Sequence, residues 1–419
     1  MSGSHERTPN HAGTVLRFYP QDVSVTEDSK TLLAKVEQCL VPQIVEDGPK
    51  DSEMSTVGPH GEIVKISKIK DLRDLFSPEF DMLHTFTATR LTANMWRNTL
   101  ESLTQTFDDP KLKNAASYWD NNPHGTLTIS PYGLQDEMNA YYQRLQVGCE
   151  LKFGYFQSEK GQKIFTCQTP DVVAHEAGHY SLDRLRPEFM NSNQMQTHGL
   201  HEAFGDISAL SFVFADDAMA NALIITTHGN LHSSQNFAAK LAEQFGISLG
   251  MHGYLRNADA DYKLSDVENE EHALSEVFTG AYYDALARAF KDATNQYPYY
   301  HPANLLQAVS EFARGLLLHT IVTVQKDEPE FSDIARHLIE TVIPQHGKVA
   351  PARVAYLKSL NWREYFEKEF TRREINIPSN LLQHKPKEKM KKKSIIEMRS
   401  KERKEILKSV CGGLRKFKK

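Results

Sequence analysis

Cysteine is scarce. Four residues in 419, Cys39, Cys149, Cys167 and Cys411, stand far apart with no C-x-x-C pair. That spacing argues against a disulfide framework. Long apolar runs are missing too, since no stretch approaches the ~18 apolar residues of a membrane span. The polar start, Met1 to Gly13, lacks the apolar core of a secretory signal. The expectation is a soluble chain, cytoplasmic as synthesised, with export open only to a route that needs no signal peptide. No internal repeat is evident either.

What is present is an ordinary globular mixture, 40% hydrophobic and 25% charged, which excludes wholesale disorder and fibrous repeats. A chain of this length divides into two or three domains. The formal charge of −5 hides an uneven distribution. From Lys385 to the end there are 15 Lys+Arg against 4 Asp+Glu, a net +11, so the rest of the chain carries −16. An acidic body is joined to a basic tail.

The first ~75 residues alternate short apolar strings such as Val15 to Pro20 with Gly, Pro and Asp, which reads as short strands and loops. Ser77-Pro78-Glu79 signals a helix start leading into Phe80 to Phe107, where apolar residues recur near helical period. Strand-like pieces follow at Leu127 to Ile129 and Cys149 to Phe156. From Thr169 the pattern turns helical over Asp171–Asp183, Gly199–Ala215, Gln235–Gly246, Glu271–Lys291, Asn304–Val324, Ser332–Val342 and Ala350–Phe370. The division expected is 1–76 as an N-terminal extension, 77–215, 216–380 and a basic tail at 381–419.

His175-Glu176-Ala177-Gly178-His179 is a His-Glu-x-x-His sequence. On a helix, residues four apart stand one turn above each other, so both imidazoles can reach one ion. Glu176 projects to the side, toward a water rather than the metal. Composition alone would produce one such match in about 5% of chains of this make-up, so the motif needs support. The next segment supplies it. Glu202 falls 23 positions past His179 on a second helix, His201-Glu202-Ala203-Phe204-Gly205-Asp206, and shares a face with Asp206. Burying two carboxylates beside apolar residues is costly unless something positive compensates, and Zn²⁺ does. Glu202 is the expected third ligand and Asp206 the acceptor for a ligand imidazole N–H. His198 and His201 remain rival ligands.

These residues resemble the gluzincin metallopeptidases, most closely the thermolysin-like group. Asn139-Ala140-Tyr141-Tyr142 resembles that family's substrate-holding edge strand. Leu255-Arg256-Asn257 resembles the segment whose arginine contacts a substrate carbonyl. Glu271-His272-Ala273-Leu274-Ser275 resembles the segment with the transition-state histidine. The similarity runs from about Phe80 to about Phe370.

The resemblance implies an α+β, thermolysin-like two-lobe fold: a mixed β/α N-terminal lobe, a helical C-terminal lobe and a cleft between them. It implies one Zn²⁺ on His175, His179 and Glu202, with Glu176 as general base. His272 would stabilise the oxyanion, while Asn139, Ala140 and Arg256 would hold substrate backbone. The acid that orients His272 is open among Asp266, Glu268 and Glu270. Phe212-Val213-Phe214 stands where the family's calcium site needs an acid, which leaves calcium doubtful despite Asp171. The function expected is zinc endopeptidase action on a peptide or protein substrate.

A different class remains as the alternative: a catalytically silent gluzincin-fold binding protein, tethered by its tail. Residues 385–419 interleave Lys391-Lys392-Lys393 and Arg415-Lys416-Phe417-Lys418-Lys419 with Ile395, Ile396, Ile406 and Leu407. That pattern suits an anionic membrane surface or nucleic acid. Nothing in the sequence fixes the oligomeric state or the side chain accepted beyond the scissile bond. An apolar preference would follow if Phe204 and Leu274 lined that pocket.

Overall fold

Short strands interleaved with helices come first, and a mainly helical part follows. The structure is a computed structural model, and it describes residues 13–27, 33–59, 63–66, 75–158, 161, 163–243, 246 and 254–376. The basic tail and the polar N-terminal residues 1–12 lie outside the described residues.

The chain opens with β1 (Thr14–Phe18), one helical turn α1 (Val23–Thr26) and β2 (Glu37–Val41), with β1 and β2 antiparallel. Next comes β3 (Met54–Thr56). The long helix α2 (Pro78–Thr106) starts where expected, because the Ser77 side chain accepts from the Phe80 N–H and Pro78 occupies the first turn. The Asp109 side chain caps α3 (Pro110–Asn121) in the same way.

A five-stranded sheet follows, from β4 (Leu127–Leu134), β5 (Ala140–Arg144), β6 (Cys149–Gln157) and β7 (Lys163–Phe165) together with β3. The strand order is β3-β4-β6-β5, with β7 also on β6, so β5 is an edge strand. It runs antiparallel to β6, pairing Ala140 with Phe153 and Tyr142 with Leu151. Residues 13–59 share one core with the rest: Leu16, Phe18 and Val41 are buried in it, and Phe18 meets Phe212 edge-on. Arg90 on α2, itself buried, donates to Asp51 and Glu53 at 2.6 Å.

Helices α4 (Pro170–Leu185), α5 (Met195–Ala215) and α6 (Asp217–Thr227) come next. The two-residue pair β8 (Lys240–Leu241) and β9 (Arg256–Asn257) precedes α7 (Glu271–Gln296) and α8 (Pro302–Thr323). Phe331–His337, Ile343–Lys348 and Trp362–Arg372 complete the helical C-terminal part. The architecture is α+β.

One expectation is corrected. No helix covers residues 235–242; turns and β8 stand there. The reason is Asn236, whose Oδ1 accepts from the Ala238 and Ala239 N–H groups while Nδ2 donates to the Leu231 carbonyl and the Tyr283 hydroxyl. A side chain that captures backbone in this way competes with helix formation. Helix α8 is, by length and composition alone, long and apolar enough to cross a membrane. Of its most apolar window, 83% is buried inside the protein, which makes it a core helix by packing.

Candidate metal centre

Helix α4 carries His175, Glu176 and His179, and α5 carries His201, Glu202 and Asp206; the two pack face to face. Small residues permit the approach. A Cβ on Gly178 would stand 2.5 Å from Ser208 Oγ, and one on Gly205 would stand 2.7 Å from the His175 ring. Helix α2 braces the pair, since Trp96 Nε1 donates to Ser208 Oγ at 2.9 Å and its ring stacks on Phe204.

His175, Glu176 and His179 form a buried group that could hold a metal ion. Glu202 joins it from α5: Oε2 lies 3.4 Å from His175 Nε2, and Oε1 lies 3.4 Å from His179 Nε2. A tetrahedral shell with ligands at about 2.0–2.1 Å separates neighbouring donor atoms by about 3.4 Å, which is the spacing of each of these two contacts. The remaining nitrogens are engaged. His175 Nδ1 lies 3.0 Å from Asp206 Oδ1, and Asp206 Oδ2 accepts from Thr279 Oγ1 of α7 at 3.5 Å. His179 Nδ1 lies 2.7 Å from His201 Nδ1. Burial disfavours ionised Glu202, but His272, His179 and His175 around it hold its carboxyl well below the usual range. Burial raises Glu176 to about 7, with Glu202 adding to the rise.

Of the two rivals to Glu202, His198 turns away, its Nε2 2.8 Å from the Ser192 carbonyl. His201 has its Nδ1 2.7 Å from His179 Nδ1.

Arg256 is brought to the same place by β9. It reaches Asp206 Oδ1 at 3.1 Å and Glu202 Oε2 at 3.4 Å. Asp171 accepts the Ala242 N–H at 2.6 Å and so ties the β8 loop to the first turn of α4. His272, in the first turn of α7, has Nε2 3.7 Å from Glu202 Oε2. Its Nδ1 sits 2.6 Å from Glu270 Oε1, which settles the choice among the three acids. Burial lowers the pKa of His272, but Glu202 and Glu270 outweigh it and raise it overall.

Strand β5 lies along α4, because Tyr142 Oη donates 2.6 Å to Asp183 Oδ2 and Arg144 pairs with the same carboxylate. A cleft is lined by His175, Glu176, Asp206 and Arg256, with Ala140, Val172, Leu241, Ala242 and Leu255 as its apolar wall. Asn139 precedes that wall, its Oδ1 accepting from the Ala140 N–H. Phe204 and Leu274 do not line this cleft; Phe204 is stacked in the core on Trp96.

Neither a family model nor a curated protein matches the chain. The arrangement of these side chains therefore carries the functional reading.

Proposed function

We propose that the chain is a zinc-dependent endopeptidase with the two-lobe organisation of the thermolysin-like gluzincins. The observation that carries this reading is the common focus of His175 Nε2, His179 Nε2 and both Glu202 oxygens, with Glu176 beside them in a cleft. The donor set of two imidazoles and a carboxylate is that of a catalytic zinc site with one position left for water. A zinc ion held by His175, His179 and Glu202 would polarise a scissile carbonyl and acidify a water.

The chain's own residues supply the remaining steps. Glu176, whose carboxyl is raised to about 7, takes the proton of the attacking water and delivers it to the leaving amine. His272 keeps its Nδ1 on Glu270 and offers Nε2 to the developing oxyanion. Arg256 and the Asn139-Ala140 end of β5, a strand at the sheet edge, hold substrate backbone. Val172, Leu241 and Leu255 favour an apolar substrate side chain in the cleft.

The test is metal content and cleavage of a mixed peptide library, wild type beside Glu176→Gln. Both should bind about one zinc, and only the wild type should cut, with the variant down by about 10²–10⁴. Zinc in both with cleavage in neither would favour the binding-protein alternative. Absence of zinc from both would overturn the site itself.

A further inference from the structure

We infer that His201 is a positioning residue that sets the tautomer of His179 and thereby decides whether that ring can bind a metal. The inference rests on the zinc reading above and adds a residue to it.

The two Nδ1 atoms lie 2.7 Å apart, one on α4 and one on α5, with ring planes 30° apart. Two neutral imidazole nitrogens at that distance share one proton, so one ring donates and the other accepts. If His201 donates, the proton of His179 sits on Nε2, facing Glu202 Oε1 3.4 Å away, and the lone pair a metal needs is blocked. If His179 donates, its Nε2 lone pair is open toward Glu202 and His201 carries its own proton on Nε2. The pair thus has two arrangements, and only the second is competent for metal.

His201 is wholly buried, and among the described residues its Nε2 has no hydrogen-bond partner. No neighbour therefore fixes its tautomer from the far side. A ligand histidine is ordinarily oriented by an acceptor-only carboxylate or carbonyl. His175 has one in Asp206, whereas His179 has a second imidazole. A cation held at His179 Nε2 would require His179 to be protonated at Nδ1 and His201 at Nε2. Proton number in the pair is unchanged.

The experiment uses the full chain and zinc alone as the probe. Affinity is read by chelator competition for wild type, His201→Leu and His201→Asn, and ring tautomers are read by ¹⁵N NMR of histidine-labelled wild type. His201→Leu removes the acceptor and should weaken zinc about 10–100-fold. His201→Asn, whose side-chain carbonyl can accept, should restore binding to within a few-fold of wild type. Zinc-loaded wild type should show His179 protonated at Nδ1 and His201 at Nε2, a signature that mere packing of His201 would not require. Zinc bound by His201→Leu as tightly as by wild type, or His201 protonated at Nδ1 in the loaded protein, would overturn the inference alone. A wild type that takes up no zinc would overturn it together with the zinc reading.

Discussion

At the scale of single residues, the position of Glu270 divides the work around His272. Its two oxygens serve different partners, Oε1 the His272 Nδ1 and Oε2 the Ala273 N–H that begins α7. His272→Ala should lower kcat/KM by about 10²–10³ with zinc content unchanged. Glu270→Gln should cost less, because the amide can still accept from Nδ1 but no longer supports the charged ring. Equal rates for His272→Ala and wild type would remove His272 from the reaction. Spacing made His175, Glu176, His179, Glu202 and Asp206 legible in the sequence, because residues four apart on a helix must share a face. Glu270 was not legible, since three acids crowd an irregular stretch and the choice depends on which one caps the helix. The partner of His179 was hidden for a related reason: His201 lies next to Glu202 in sequence, and only the packing angle of two helices aims its ring at α4.

Among elements, the α4–α5 contact sets the geometry of the centre. Gly205 gives the His175 ring its place, and any side chain there must move that ring or part the helices. Gly205→Ala should destabilise the fold by about 1–3 kcal/mol and weaken zinc binding along with it. Chemical unfolding and chelator titration would check both effects; a variant as stable and as metal-avid as wild type would mean that the helices separate freely. Helix starts were readable from Ser77-Pro78 and Pro170 because capping is local. The segment at 235–242 was misjudged because Asn236 binds backbone and Tyr283 at once, and Tyr283 lies 47 residues away. Sheet order was beyond reach for the same reason: β3 and β5 find their places by pairing with strands that no local pattern specifies.

Over the whole molecule, buried histidines make stability depend on pH. Burial pushes His84 and His346 down to about 3 and His319 to about 4. Unfolded histidines titrate near ~6.5. A group depressed in the folded state contributes stability that is complete above the unfolded value and lost as pH falls through that window. The unfolding temperature should therefore drop between pH 6.5 and 4. Asp81, Asp171 and Asp284, each raised to about 6 chiefly by burial, and Glu176, raised to about 7, act in the opposite sense over part of that range. The discriminating variant is His346→Gln, which removes one titrating ring from the His319 pair and should flatten the decline; an unaltered slope would exclude that pair as a source. The placement of the three tryptophans has an optical consequence. Trp96, Trp119 and Trp362 are at most 2% exposed and belong to three different parts of the chain: against Phe204 beside the candidate metal centre, over Arg184 at the end of α4, and against Phe312 among the C-terminal helices. The native emission should be blue-shifted and inaccessible to iodide, and replacing each indole in turn would convert the unlabelled protein into a gauge of one region at a time.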